Sequence, residues 1–245
     1  MTPEQLSFLT VAIFVVAFLY SCVGHAGASG YIAVMSLFGL APTVIKPTAL
    51  VLNILVACIG TWQFWRAGHF SWRLFWPFAV LAIPMAFVGG YLSLPTHVFK
   101  VIVGIVLLCS AAGFFFRPNE DPVADEPSRI VAIPIGAGLG LLSGLTGTGG
   151  GIFLTPLLLF RRWARVKAAA AVSALFILVN SVSGLLGNFS STKLFPSFAI
   201  VLAVAAVLGG TVGSYLGSQR FEHTTIKRLL AIVLLIAGFK LIFTR

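Results

Sequence analysis

Charge is what this chain has least of. Of 245 residues, 16 are Lys or Arg and 6 are Asp or Glu, 9% in all, where a soluble domain carries roughly 25%. That is too little to cover a water-exposed surface. Acids are scarcest: Glu4, Glu120, Asp121, Asp125, Glu126 and Glu222 lie at a terminus, in one polar segment or in a loop. With no carboxylate inside an apolar run, a carboxylate proton relay, a carboxylate-based sodium site and an intramembrane aspartyl protease are excluded. The three cysteines, Cys22, Cys58 and Cys109, have no CxxC or zinc-ligand spacing, so no disulfide framework or metal centre is expected. There is no P-loop or other nucleotide motif, and no cofactor is implied. The alternating ten-residue pattern of a transmembrane barrel is missing. "MTPEQLSFLTVAIFVVAFLY" has no basic segment before its apolar run, so it reads as a retained helix.

What is present is apolar. The chain is 59% hydrophobic with a mean hydropathy of +1.05. Runs near the ~20 residues that cross a bilayer fall at about 6–23, 48–65, 74–94, 98–116, 130–145, 168–187, 195–217 and 226–243. This predicts an all-α polytopic membrane protein with eight transmembrane helices, the bilayer its first partner. The net charge of +10 comes from bases scattered over short loops. Those set topology, and no nucleic acid is expected as partner. Nothing in the sequence specifies an oligomer.

The polar, proline-containing stretch "RPNEDPVADEPSR" (117–129) divides the chain into a first four-helix repeat (1–117), a linker (118–128) and a second four-helix repeat (129–245). A shift of 124 residues pairs Gly27 with Gly151, Gly60 with Gly184, and "GGYL" at 89–92 with "GSYL" at 213–216. Four spans per half predict two parallel repeats inserted the same way up, about an axis along the membrane normal. Alternate-loop counting puts Lys46, Lys100, Arg161, Arg162, Arg165, Lys167, Arg220, Lys227 and Arg228 on one side. Arg66, Arg73, Arg117, Arg129, Lys193, Lys240 and Arg245 fall on the other. The positive-inside rule then predicts both termini, the linker and the tryptophan-flanked loop (Trp62, Trp65, Trp72, Trp76) outside the cytoplasm.

Spans one and five are interrupted by "GHAGASG" and "GLTGTGGG". From Ile130 to Phe160 a continuous helix would be ~46 Å long at 1.5 Å per residue, against ~30 Å of hydrocarbon. Broken or re-entrant segments absorb that excess. Irregular backbone at membrane depth is tolerated only where it is buried in protein or lines a cavity, and two such interruptions in corresponding places point to a transporter's binding site. Half-helices beginning near Ser29 and Gly151 would present free N–H groups and about +0.5 of dipole charge each. Glycine there lets a ligand approach the backbone. Together these features fit a small anion. The candidate site residues are Gly24, His25, Gly27, Ser29, Asn53, Thr146, Thr148, Gly149, Gly150, Gly151, Asn180 and Ser183. His25, the one histidine inside a span region, is also the proton-coupling candidate, its ordinary pKa near 6.5. The competing readings are glycines that serve helix packing, a structural histidine, and asparagines that bond between helices.

At these residues the chain resembles the sulfite exporter TauE/SafE family of membrane transporters. The resemblance runs over nearly the whole length and is densest in "GLTGTGGGIFLTPLLLF" and "VKAAAAVSALFILVNSVSG". In the first half His25, Ala26, Ala28 and Ser29 replace a more glycine-rich pattern. The resemblance implies movement of a small sulfur-containing anion, such as sulfite, sulfoacetate or a related organosulfonate, across the bacterial inner membrane. The expectation is therefore a secondary transporter working by alternating access around a midplane site. An anion channel of the same architecture is the alternative, and a membrane enzyme or a structural subunit are more distant ones.

Overall fold

A computed structural model describes residues 3–92, 127–191 and 198–220, with single positions at 95, 98, 101, 108, 228, 232, 235 and 239. The helices are α1 (Pro3–Cys22), α2 (Ala28–Leu37), α3 (Pro42–Arg66), α4 (Trp72–Tyr91), α5 (Arg129–Thr146), α6 (Gly151–Phe160), α7 (Val166–Ser191) and α8 (Ala199–Tyr215), the last running into a π-turn at Leu216–Arg220. Among the described residues there is no strand. Six of these helices, all but α2 and α6, are long and apolar enough to cross a membrane. Apart from those single positions, the spans expected at 98–116 and 226–243, and nearly all of the linker, lie outside the described residues.

Each break is built from left-handed glycines. Gly27 (φ 97°) and Gly150 (φ 80°) precede α2 and α6, and Gly24, Gly147 and Gly149 also have positive φ. A Cβ in that region costs roughly 1–2 kcal/mol, so glycine is what lets α1 and α5 stop and the chain double back. It does double back. A Cβ on Gly30 of α2 would strike Val16 and Tyr20 of α1. Thr155 of α6 bonds Ser173 of α7 at 2.6 Å, while Gly151 faces Ile177. The short half-helix α2 therefore returns beside α1, and α6 returns beside α7, antiparallel to it.

Contact registers fix the direction of every described helix. On α1 and α8, Phe14 meets Gly209, Phe18 meets Gly213 and Cys22 meets Gly217, so these run parallel. Val56 against Gly210 and Gly60 against Ser214 make α3 parallel to α8. Asn53 bonds Ser181, and Phe64 clusters with Ala170 and Ala171, so α7 is antiparallel to α3. Ser183 bonds Ile83 and Gly187 meets Phe87, which makes α4 parallel to α7. Gly136, Gly140 and Gly144 meet Phe78, Ala82 and Ala86, so α5 runs with α4.

Hence α1 and α5 point in opposite directions. The same-way-up arrangement of two parallel repeats does not hold, and α5 begins on the face opposite the N-terminus. The reason is parity: α2 and α6 each return toward the face their preceding helix came from, and alternate-loop counting omits that return. The α3–α4 loop, the start of α5, the α6–α7 loop and the end of α8 then share one face. It carries Arg66, Arg73, Arg129, Arg161, Arg162, Arg165, Lys167 and Arg220. Trp62, Trp65, Trp72 and Trp76 lie there too, beside the basic cluster they were expected to oppose. Arg129 stacks over Trp76 at 5.0 Å and Arg161 over Trp163 at 5.7 Å.

Close helix pairs rest on glycine stripes. Cβ atoms on Gly136, Gly140 and Gly144 would overlap the backbone oxygens of Phe78, Ala82 and Ala86. The stripe Gly209, Gly213 and Gly217 does the same against Phe14, Phe18 and Cys22. Without a hydrophobic force between helices in lipid, such close backbone approach is what holds them. On α5 the test is internal. Gly140→Val should abolish a monodisperse peak in detergent size-exclusion chromatography, whereas Gly138→Val, whose Cβ meets nothing within 4 Å, should elute like the parent chain.

Candidate functional site

The second break lies at mid-depth. A Cβ on Gly149 would sit 2.8 Å from both Asn53 Nδ2 and Ser181 Oγ, and these belong to the middles of α3 and α7. One residue on, a Cβ on Gly150 would sit 2.9 Å from Phe176 and 3.2 Å from Ser143. The first break reaches the same place from the other side: Ala26 and Ala28 belong to one buried cluster with Ile177, the residue that Gly149 and Gly151 pack against. Asn53, Ser143, Ser181, Asn180, His25 and Thr148 are all buried around it.

Hydrogen bonds sort these groups into spent and vacant. Asn53 Nδ2 donates to Thr148 O at 3.2 Å and to Ser181 Oγ at 3.3 Å, leaving Asn53 Oδ1 without a partner. Asn180 Nδ2 donates to Phe176 O at 2.9 Å, and Asn180 Oδ1 is likewise unpaired. Thr146 Oγ1 lies 2.6 Å from Leu142 O and 2.8 Å from Thr148 Oγ1. A carbonyl can only accept, so Thr146 donates to Leu142 and Thr148 donates to Thr146. Both hydroxyl protons are committed within the loop. His25 Nδ1 bonds Val23 O at 3.2 Å, while Nε2 has no partner. Ser143 Oγ and Tyr31 OH are buried and unpaired as well. Buried polar groups are almost always satisfied; here four of the unpaired atoms, on Asn53, Asn180, Ser143 and His25, lie around the two breaks, while Ser21 Oγ, Thr61 Oγ1 and Gln63 Oε1 lie elsewhere on α1 and α3.

Of the residues singled out from sequence, Asn53, Thr146, Thr148, Gly149, Gly150, Gly151 and His25 come together. Asn180 is on the same α7 face, between Phe176, Ile177 and Ser181. Gly24 serves packing: its Cβ would lie 2.6 Å from Ala170 O. Gly27 turns the chain into α2, its Cβ position 2.8 Å from the Tyr31 ring. Ser29 donates to Tyr20 OH at 3.0 Å. Ser183 is not brought to the break, since its hydroxyl binds Ile83 O of α4 at 2.6 Å. Ser143 and Ser181 were missed. The signal was there, because Ser143 is one helical turn before Thr146 at the end of α5, and Ser181 adjoins Asn180.

A multi-pass helical fold with two broken segments meeting at mid-depth defines a membrane transporter. The sulfite exporter TauE/SafE family matches residues 9–241, and the chain belongs to that family. It is 39% identical over 240 residues to a "probable membrane transporter protein" of Sinorhizobium fredii, covering 96% of this chain and 97% of the relative. It is 27% identical over 257 residues to one of Bacillus subtilis, covering 97% and 100%, and 22% identical over 255 residues to one of Methanocaldococcus jannaschii, covering 95% and 94%. No solved structure matches. The family is one of transporters, not enzymes.

Proposed function

We propose that this chain is a secondary transporter of a small sulfur-containing anion, sulfite or an organosulfonate, bound at mid-depth between the two breaks. The observation that carries this reading is the N-terminus of α6. The N–H groups of Gly151 and Ile152 precede the first bonded amide, Phe153 N to Gly150 O at 3.1 Å, and open near unpaired Ser143 Oγ, with glycine at Gly149 and Gly150 leaving the backbone bare. Such a terminus favours an anion through its dipole and its unbonded donors. Alternating access is supported by the architecture. The bounds of α2, α3 and α4 recur within a few residues in α6, α7 and α8 after the 124-residue shift, and α1 and α5 run oppositely. Two halves of inverted orientation, meeting at broken helices, are a recurrent transporter design.

Orientation in the bacterial inner membrane follows from charge. Apart from Arg228, the described bases lie on the α3-end face except Lys46, which joins Glu4 on the other. The positive-inside rule makes the basic face cytoplasmic and leaves the N-terminus outside.

The first test is ligand stabilisation. A specific ligand raises the melting point by mass action. In a thermal-shift comparison of sulfite, sulfate, thiosulfate, sulfoacetate, taurine and chloride, at least one sulfur anion should stabilise the purified protein where chloride does not. No response to any of them would remove the substrate assignment. His25 is the proton-coupling candidate. Its protonated ring would add a donor for the anion, so binding should be strongest with His25 protonated and weaken as pH rises through its pKa. Sulfoacetate, whose sulfonate charge is fixed, should lose affinity across pH about 5.5 to 8.5 in the parent protein, a range that brackets an ordinary imidazole, and His25→Gln should flatten the profile. Equal profiles would exclude His25 from coupling.

A further inference from the structure

The amides at the second break are turned the wrong way for an anion. Each has its orientation fixed by a carbonyl that can only accept: Asn53 Nδ2 points to Thr148 O and Asn180 Nδ2 to Phe176 O. What both leave vacant is an oxygen. Asn53 and Asn180 are fully buried, at 0% exposure. They stand at the same depth, since Asn53 pairs with Ser181 across antiparallel α3 and α7. An anion cannot satisfy an amide oxygen; a cation can.

The backbone adds acceptors. α5 ends at Thr146, so its last carbonyls have no helical partner, apart from Ser143 O, which receives Gly147 N at 2.8 Å. That end also carries the negative pole of the helix dipole. Unwound carbonyls and half-helix C-termini coordinate sodium in broken-helix transporters. The cation's charge is bounded too. Divalent ions of the hard type take carboxylates, and no Asp or Glu lies at this depth among the described residues. A site of neutral oxygens suits a single positive charge.

We infer that the second break holds Na⁺ on Asn53 Oδ1, Asn180 Oδ1 and carbonyls at the end of α5, and that it is a coupling ion for the anion. This rests on the anion reading above in one respect: the anion on α6 supplies the negative charge that the cation site lacks. Each ligand then raises the other's affinity by the same factor. The lack of a carboxylate at this depth among the described residues is what makes the two ligands depend on each other.

The experiment uses the purified full chain in detergent at fixed pH and chloride, with Na⁺, K⁺ or N-methylglucamine as the cation. Melting point and sulfoacetate affinity are measured in each. The expected result is a saturable rise in melting point with Na⁺ alone, and sulfoacetate affinity about tenfold higher in Na⁺ than in N-methylglucamine, within the usual range of coupling. Asn180→Leu should melt like the parent chain in N-methylglucamine yet lose the Na⁺ response, while Asn180→Asp should keep it. Identical melting and affinity in all three cations overturn the proposal and assign the vacant oxygens to water. Retention of the Na⁺ response by Asn180→Leu also overturns it. If sulfoacetate binds equally in every cation, the anion reading stands and sodium falls. If Na⁺ stabilises the protein but no sulfur anion binds, the sodium site stands and the substrate falls.

Discussion

Gly149→Ala should fold and yet lose at least about fivefold in affinity for the proposed anion. The added Cβ would lie 2.7 Å from Ile177 Cγ2 and 2.8 Å from both Asn53 Nδ2 and Ser181 Oγ. All three are ends of side chains, which can move, and none is backbone. The helices therefore keep their packing, but Asn53 is displaced from Thr148 O and the loop that presents α6 loses its tie. Breaking a buried tie of this kind costs about 1–3 kcal/mol, or roughly five- to 140-fold in binding. A left-handed alanine also strains the backbone, and Gly39→Ala separates the two effects. Gly39 has φ 72°, close to the 76° of Gly149, but nothing within 4 Å of its Cβ position. It should bear the same strain and bind like the parent chain. Equal loss in both variants would mean that strain, not the site, accounts for the effect. Normal binding by Gly149→Ala would remove the second break from the binding site.

The glycine breaks were legible because composition contradicts itself there: helix-breaking residues inside runs too long and too apolar to be loops. Helix limits were legible for the same reason, since basic residues and prolines bracket them. Direction was not. Whether a ten-residue segment after a break continues outward or doubles back changes no residue in the sequence, yet it reverses every helix that follows. Only contacts between distant helices, such as Asn53 with Ser181, decide it. Ser183 and Ser181 show the same limit at the scale of one side chain. Both are serines on α7, two residues apart, and about 200° of helical turn sends one to a carbonyl of α4 and the other to the break. Thr146 and Thr148 were legible as polar groups at the site, but the carbonyl of Leu142 that takes their proton chain belongs to the end of α5. The donor count at the site therefore depends on folded geometry.

The direction of the helices makes an all-or-none prediction about labelling. In a background without the native cysteines, Gly68→Cys in the α3–α4 loop and Arg165→Cys in the α6–α7 loop should behave alike. Both should resist an impermeant thiol reagent in intact cells and react once the membrane is opened. Ala41→Cys and Glu4→Cys, on the opposite face, should react from outside. All four positions are exposed in the fold, so a failure to label reports the side of the membrane and not burial. Loop counting without the returning half-helices places residues 68 and 165 on opposite sides, so this pair alone decides between the two arrangements. Charge explains why the orientation should be uniform. With parallel repeats the bases divide nearly evenly, a weak signal for insertion. With α2 and α6 returning, eight described bases line one face, and Lys46 alone stands on the other. Lys46 is held there by the end of α4, its Nζ 3.1 Å from Gly90 O and 3.3 Å from Leu92 O, where a cation complements the helix dipole. Among the described bases, Arg228 apart, the one on the opposite face is thus accounted for by a local helix end. Labelling of Gly68→Cys and Arg165→Cys from different sides would restore the parallel arrangement and withdraw the inverted one.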